Sequence, residues 1–423
     1  MRIAVIGPFD IENYGDHILK EVLEHHIKEA LPSSQLDAFG VYSGRVGFRR
    51  DGAELTTVDE LEAKHIQQPY DALIVAGGSV IHYKTLLQNI DEKKVEYPIW
   101  KLWTQASRVA SKHGTRLIWN SPEAPFGFQG WQKLVTKPFL DAVHYISVRS
   151  AASFHALVEH SPAKPVIIPD SAWLLRDAYS DELLRSSVPS EVASEDMFVI
   201  FHCNQRLQES DIPRIVALLL SVQAKGYKVL LMPLAYTNNE QSMLELINKE
   251  ANGAFIYMDR TLTLAESVAL FSRCLLYIGL SFHGAITTSV FGGDIIAFDY
   301  ENRNKTEELY EVIGKKHQYT TTIDELEGVV TKRLSKPLSH SPISPRVLKL
   351  QARVRTHFKD VSSVLKEPPK APSQNIDMLY DVTAFETKRS FDKAQELQAL
   401  SNNYQQCYSQ FQTLLASVNS SSN

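Results

Sequence analysis

Tyr277-Ile278-Gly279-Leu280-Ser281-Phe282-His283-Gly284-Ala285-Ile286 is the stretch on which both fold and chemistry turn. The apolar run Leu275 to Leu280 reads as a buried strand, Ser-Phe-His-Gly as the turn that ends it, and a helical pattern follows to Gly292. In an open α/β sheet, ligands bind just outside the carboxyl ends of the strands. That rule puts His283 in the first turn of the next helix, facing a cleft. Imidazole titrates near neutral pH and suits proton transfer. Taken alone, such a histidine would by default cap a helix or bond a backbone carbonyl, so neighbouring segments have to decide.

Working outward, strands and helices alternate. Arg2 to Gly7, Ala72 to Ala76, Arg116 to Asn120 and His144 to Val148 are short β-branched or aromatic runs bounded by turn residues, the pattern of buried parallel strands. Asp16 to Ala30, Tyr97 to Lys112 and Ser150 to Glu159 read as helices between them. A second series starts at Met197-Phe198-Val199-Ile200-Phe201-His202 and continues through Val229 to Met232, Phe255 to Tyr257, Leu275 to Ile278 and Ile295 to Phe298. The polar segment Arg176 to Glu195 reads as the inter-domain connection. The expected fold is α/β: two doubly wound, Rossmann-like domains, residues 1–176 and 196–334, facing across a cleft, with a C-terminal helical appendage. After the Pro/Ser-rich stretch 335–345 comes a helix at 346–365, then the spacer Lys366 to Pro372, then a helical tail at 376–418. In the tail, Leu397, Tyr404, Phe411 and Val418 are seven apart, and Leu400, Cys407 and Leu414 interleave at the same period. Either a self-associating coiled coil or a helix packed on its own body satisfies that spacing.

Three other strand ends carry polar or glycine residues. Asn13-Tyr14-Gly15-Asp16 follows the first strand, Ile74-Val75-Ala76-Gly77-Gly78-Ser79 runs into a paired-glycine turn, and Tyr145-Ile146-Ser147-Val148-Arg149-Ser150 sets an arginine at a strand end. Arg149 offers the planar fork that binds carboxylate or phosphate, and a surface ion pair is its bland alternative. Asp16 could serve the helix macrodipole or bind hydroxyls. Lys305 lies among Glu301, Arg303, Glu307 and Glu308, as a solvated charge would. His202, Asn204 and Arg206 follow the opening strand of the second series and also face the cleft, whereas His25-His26 reads as a surface pair.

In this order, these segments resemble the polysaccharide pyruvyl transferase family. The matching pieces are Gly15-Asp16, the Gly77-Gly78 turn, Ser147-Val148-Arg149 with Ser153, the run Asp170 to Leu175, Ser281-Phe282-His283-Gly284-Ala285, and Asp299-Tyr300-Glu301 with Lys305 before Gly314. Many members carry arginine and leucine just before the histidine; Ser281 and Phe282 stand there in this chain, which removes one expected cationic contact. The resemblance implies a GT-B-like fold and pyruvyl transfer from phosphoenolpyruvate to a sugar, as a ketal, in polysaccharide or exopolysaccharide biosynthesis. It implies donor contacts at Ser281, Phe282, Gly284 and Lys305 in the second domain, the donor side, and at Arg149 reaching in from the first, the acceptor side. His283 is then the general acid with Asp16 as a second catalytic group. Acceptor contacts fall to Asn13, Gly15, Gly77, Gly78, Asn204 and Arg206, mostly from the first domain. Two other readings compete: a GT-B glycosyltransferase using a nucleotide sugar, and a non-catalytic assembly partner.

Composition sets the remaining limits. The 423 residues are 44% hydrophobic and 22% charged, as in ordinary globular proteins. The net charge of −5 argues against general nucleic-acid binding. Cys203, Cys274 and Cys407 lack metal or disulfide spacing, and neither a Walker lysine loop nor a G-x-G-x-x-G fingerprint is present, so no cofactor or metal is expected beyond phosphoenolpyruvate as co-substrate. With no signal peptide and no apolar run of spanning length, the expectation is a cytoplasmic protein or one peripheral to the inner face of the membrane. The heptads add an expected homo-oligomer, with a free or lipid-linked saccharide as the other partner.

Overall fold

A computed structural model of the chain describes residues 1–44, 55–90, 93–192, 197–368 and 376–420. The first half holds a seven-stranded sheet in the order β3-β2-β1-β4-β7-β8-β9. Its strands are β1 (Arg2–Ile6), β2 (Gln35–Gly40), β3 (Thr56–Thr57), β4 (Ala72–Ala76), β7 (Arg116–Asn120), β8 (Tyr145–Val148) and β9 (Val166–Ile167). All its pairings are parallel. A separate antiparallel hairpin, β5 (Leu86–Ile90) with β6 (Lys93–Tyr97), projects from it. The second half is a six-stranded parallel sheet, β12-β11-β10-β13-β14-β15. It comprises β10 (Phe198–His202), β11 (Lys228–Leu231), β12 (Ile256–Tyr257), β13 (Cys274–Gly279), β14 (Asp294–Phe298) and β15 (Tyr319–Thr320). The central strands β4, β7, β10 and β13 are buried at every residue, which is why they read as continuous apolar runs.

Helices cover both faces. In the first half they are α1 (Tyr14–Ala30), α2 (Leu61–Gln67), α3 (Trp100–His113), α4 (Trp131–Asp141), α5 (Ala151–Val158) and, in the connection, α6 (Asp181–Ser186). In the second they are α7 (Ile212–Ala224), α8 (Glu240–Glu250), α9 (Leu264–Ser272), α10 (Phe282–Val290), α11 (Asn304–Val312) and α12 (Ile323–Arg333). Two long helices close the chain, α13 (Pro345–Lys366) and α14 (Asp377–Ser420).

Strand order locates the cleft. In the first sheet β1 lies between β2 and β4, so the loops leaving β1 and β4 diverge; in the second, β10 lies between β11 and β13, and the loops leaving those two diverge likewise. Ligand crevices form at such switch points. The two halves meet with these crevices facing. Tyr14 donates its amide to the Leu234 carbonyl (2.7 Å), Tyr236 to that of Glu12 (3.0 Å), and the Tyr14 hydroxyl pairs with Thr287 Oγ1 (2.9 Å).

The halves share an interior. One apolar cluster belongs to the first half and one to the second, while a third runs through both, joining Ile3, Ile18 and Leu23 to Phe271, Tyr277 and Ile286. α13 is a wall of that shared cluster rather than an outlying helix: Val347, Val354, Phe358 and Val361 pack into it. His357 on α13 bonds Asn120 Oδ1 (2.8 Å) on β7 and the Tyr145 hydroxyl (2.9 Å) on β8. Phe358 stacks on His26, centroids 4.6 Å apart, so His26 is buried and the expectation of a surface histidine pair is corrected. The helix expected from Tyr97 begins at Trp100, since Tyr97 ends β6. Of the expected spacer, residues 369–372 lie outside the described residues, as do the side chains of Tyr404, Cys407, Phe411, Leu414 and Val418. No helix among the described residues is long and apolar enough to cross a membrane.

Candidate functional site

Two helix N-termini are aimed at the cleft. Asn13 caps α1, its Oδ1 accepting the Gly15 amide (3.0 Å), and Ser281 caps α10, its Oγ accepting the Gly284 amide (3.2 Å). Each cap hands over to a polar residue one turn in: Asp16 on α1 and His283 on α10. They meet because position 15 has no side chain. A Cβ on Gly15 would lie 2.1 Å from the His283 Nδ1, so the imidazole occupies the place a side chain would take. Gly78, at φ +76°, turns the chain after β4 and brings its backbone against the Asp16 carboxylate.

Behind these residues lies an ion network. Arg149, at the end of β8, is buried and pairs with Glu123 and, at 3.0 Å, with Asp170 Oδ2. Glu123 also accepts from Ser79 Oγ (2.5 Å). Asp170 Oδ2 lies 3.4 Å from His283 Nε2 and so joins the arginine to the histidine. Burial acts against the Asp170 and Glu123 charges, but nearby cations outweigh it. His283 and Arg149 hold Asp170 well below the ordinary carboxylate range, and Arg149 with Lys305 bring Glu123 to about 2. Arg149, charged at every accessible pH, pairs with Asp170 whether or not His283 carries a proton. Burial lowers the His283 pKa, with Asp170 opposing, and so favours the neutral imidazole.

Asp16 behaves differently. Burial pushes its carboxyl up to about 7 against the pull of Arg149 and Lys305, and it has no hydrogen-bond or ion-pair partner among the described residues. Lys305, from α11, is also without a carboxylate partner within ion-pair distance there; burial and then Arg149 lower its pKa. The Phe282 ring lies between the two cations, with Arg149 Cζ 5.8 Å and Lys305 Nζ 6.0 Å from its centroid.

The opposite end of the cleft holds a second histidine. His202, the last residue of β10, places Nε2 3.0 Å from Glu240 Oε2. That oxygen already accepts the Leu234 and Ala235 amides (both 2.8 Å), so Nε2 carries the hydrogen and Nδ1 is the acceptor. Nδ1 is buried with no partner.

A cavity of about 260 Å³ is lined by Asn13, Gly15, Asp16, Gly78, Arg149, His202, Asn204, Ser281, Phe282, His283 and Lys305. Ten of the residues singled out in the sequence for donor, acceptor or catalytic roles thus surround one space. Gly77, Arg206 and Gly284 do not line it. Gly77 backs onto Leu19, Arg206 is exposed and pairs with Glu301 (2.8 Å), and the Gly284 amide is taken by the Ser281 cap. Asn204 lines the wall and donates to Glu301 (2.7 Å). A larger cavity, about 1070 Å³, lies on the far side of the second half, where Lys315, Gln318 and Arg333 already engage Asp294. The smaller one is the candidate because it gathers unpaired titratable groups at both switch points.

Sequence reasoning missed Glu123, Glu240 and the polar function of Asp170. Glu123 lies just beyond β7, the kind of strand end that marked the others. Glu240 gave no such signal, because it opens a helix far from any strand end on its own side.

The polysaccharide pyruvyl transferase family matches residues 13–302. No curated protein matches the chain. Among solved structures, it resembles UDP-GlcNAc 2-epimerase from Neisseria meningitidis bound to UDP-GlcNAc (TM-score 0.51, 9% identity, covering 87% of this chain and 100% of that one). It also resembles UDP-N-acetylglucosamine 2-epimerase from Rickettsia bellii (TM-score 0.51, 10% identity, 86% and 97% covered). At such identities the likeness shows the fold, two facing α/β domains of the GT-B kind, as the alternation of strands and helices implied. The family match spans more than half of the chain and both walls of the cleft: the chain belongs to the polysaccharide pyruvyl transferase family, and so to the transferases of polysaccharide biosynthesis.

Proposed function

We propose that this protein transfers the pyruvyl group of phosphoenolpyruvate to two hydroxyls of a sugar, forming a ketal and releasing phosphate. The observation that carries the reading is the convergence on one cavity of His283, Asp16 and Arg149, all within the family-matched region, with Lys305 just beyond its end.

The chemistry assigns each group a task. Protonation of the donor's methylene carbon makes the neighbouring carbon electrophilic. One sugar hydroxyl adds there, the C–O bond to phosphate breaks, and a second hydroxyl closes the ketal. One hydroxyl proton in effect replaces the proton delivered to the methyl carbon, and the other leaves with phosphate. His283 is the acid in this scheme. Burial favours its neutral imidazole, and the negative charge of the arriving donor favours the imidazolium. Asp16, titrating near 7, exchanges protons beside it. Lys305 receives the phosphate, with Arg149 and Phe282 forming the wall behind it. His202 is suited to accept an acceptor hydroxyl's proton at Nδ1, with Glu240 fixing the tautomer.

The test is phosphate release from phosphoenolpyruvate across a panel of sugars with vicinal or 4,6-related hydroxyls, run beside a panel of nucleotide sugars. Acceptor-dependent phosphate release with label from the pyruvyl carbons in the sugar is the expected result. Sugar transfer from a nucleotide donor, with phosphoenolpyruvate inert, would overturn the reading.

A further inference from the structure

α14 has two faces, and its own chain uses one. Ile376, Leu379, Tyr380 and Ala384 pack on the first-half core, and Thr383 and Thr387 are buried beside them. Arg108–Asp377 (2.5 Å) and Lys388–Glu96 (2.9 Å) fasten that face to the body. On the other face, Met378 is 77% exposed, Phe385 65% and Leu400 65%. Positions 378, 382, 385, 389, 393, 396 and 400 recur at three- and four-residue spacings, which puts them on one side of the helix. Beyond the body, every residue from Asp392 to Asn403 is exposed. A helix bare on all sides gains nothing from tertiary packing, and most helical stability in proteins comes from packing.

We propose that this open face pairs with the same face of a second copy, antiparallel, about a two-fold axis between residues 392 and 393. A two-fold contact sets residue i against j and j against i. With that axis, Phe385 meets the partner's Leu400, Arg389 meets the partner's Glu396, and Lys393 meets the partner's Asp392. The largest exposed ring finds an apolar partner and each of these charges its opposite. Parallel, in-register pairing would set Arg389, Lys393 and Glu396 each against its own copy, like charge on like. The intrahelical pair Lys388–Asp392 (2.8 Å) is exposed, hence weak, and Arg389, paired with the half-buried Glu386 (2.9 Å), is itself exposed.

Light scattering on the full chain should give twice the 47.7 kDa of one copy. Arg389→Glu should raise the dimer dissociation constant about tenfold or more, and adding Glu396→Arg should restore it. In a Cys407→Ser background, Phe385→Cys combined with Leu400→Cys should form an interchain disulfide under mild oxidation, and neither single cysteine should. A monomeric full chain, or a disulfide from Phe385→Cys alone, which reports parallel pairing, would overturn the proposal. Failure of the charge swap to rescue a weakened dimer would do so too.

Discussion

On the first-half wall of the cleft, Arg149 is locked between Glu123 and Asp170, and Ser79 is tied to the same Glu123. On the second-half wall, Lys305 and the Nδ1 of His202 have no such partners among the described residues. Apart from Asp16, the first wall pairs its charges within itself; the second keeps cation and base open. The difference teaches which residues hold the site and which receive the ligand. A buried ion network is costly to break because each partner left behind is an uncompensated charge. An unpaired group at a cavity is cheap to remove in stability and costly in binding or turnover.

The largest effect should come from breaking the self-paired wall. Arg149→Ala leaves Glu123 and Asp170 buried and unpaired, so it should destabilise the fold by about 3–5 kcal/mol and weaken donor binding as well; a thermal melt and a donor titration read the two. Arg149→Lys should recover only part of both, because an ammonium cannot bridge two carboxylates as a planar fork does. Next comes His283→Ala, expected to slow the chemical step by roughly 10²-fold or more while the melting temperature changes little. Unchanged turnover would remove the histidine from the mechanism.

On the receptive wall, Lys305→Ala should raise the apparent donor constant about tenfold or more with no loss of stability, since one charge-assisted contact is lost and no buried partner is stranded. A destabilised Lys305→Ala would show that the two walls do not differ in the way described. Asp16→Asn should act with the opposite sign. The native Asp16 pKa of about 7 exceeds the ordinary carboxylate value, so the folded state binds the extra proton between about pH 4 and pH 7. Stability therefore falls as pH rises through that window, and asparagine escapes the penalty. The variant should melt higher than the natural protein by more at pH 8 than at pH 5, while losing activity.

The two walls also differ in how much of them the sequence made legible. Strand ends were readable because fully buried parallel strands leave uninterrupted apolar runs, and a polar or glycine residue just beyond each run faces the crevice; Asn13, Asp16, Arg149, His202 and His283 were all reached this way. Glu240 was hidden because it reaches His202 from the start of a helix 38 residues later, a proximity created by packing alone. β2, beside the edge strand β3, was missed with β3 and the hairpin β5–β6, since strands at or near an edge and protruding ones are half polar and lack the apolar run. α13 was read correctly as a helix and incompletely as to place: its spacing gives an apolar face, but only the fold shows that the face closes the shared core.

The central claim is that this cleft receives phosphoenolpyruvate, and calorimetric titration of the donor into the purified full chain tests it most directly. The account predicts saturable binding at one site per chain, weakened in Lys305→Ala and retained in His283→Ala. No heat of binding with phosphoenolpyruvate, together with saturable binding of a nucleotide sugar at the same cleft, would contradict it.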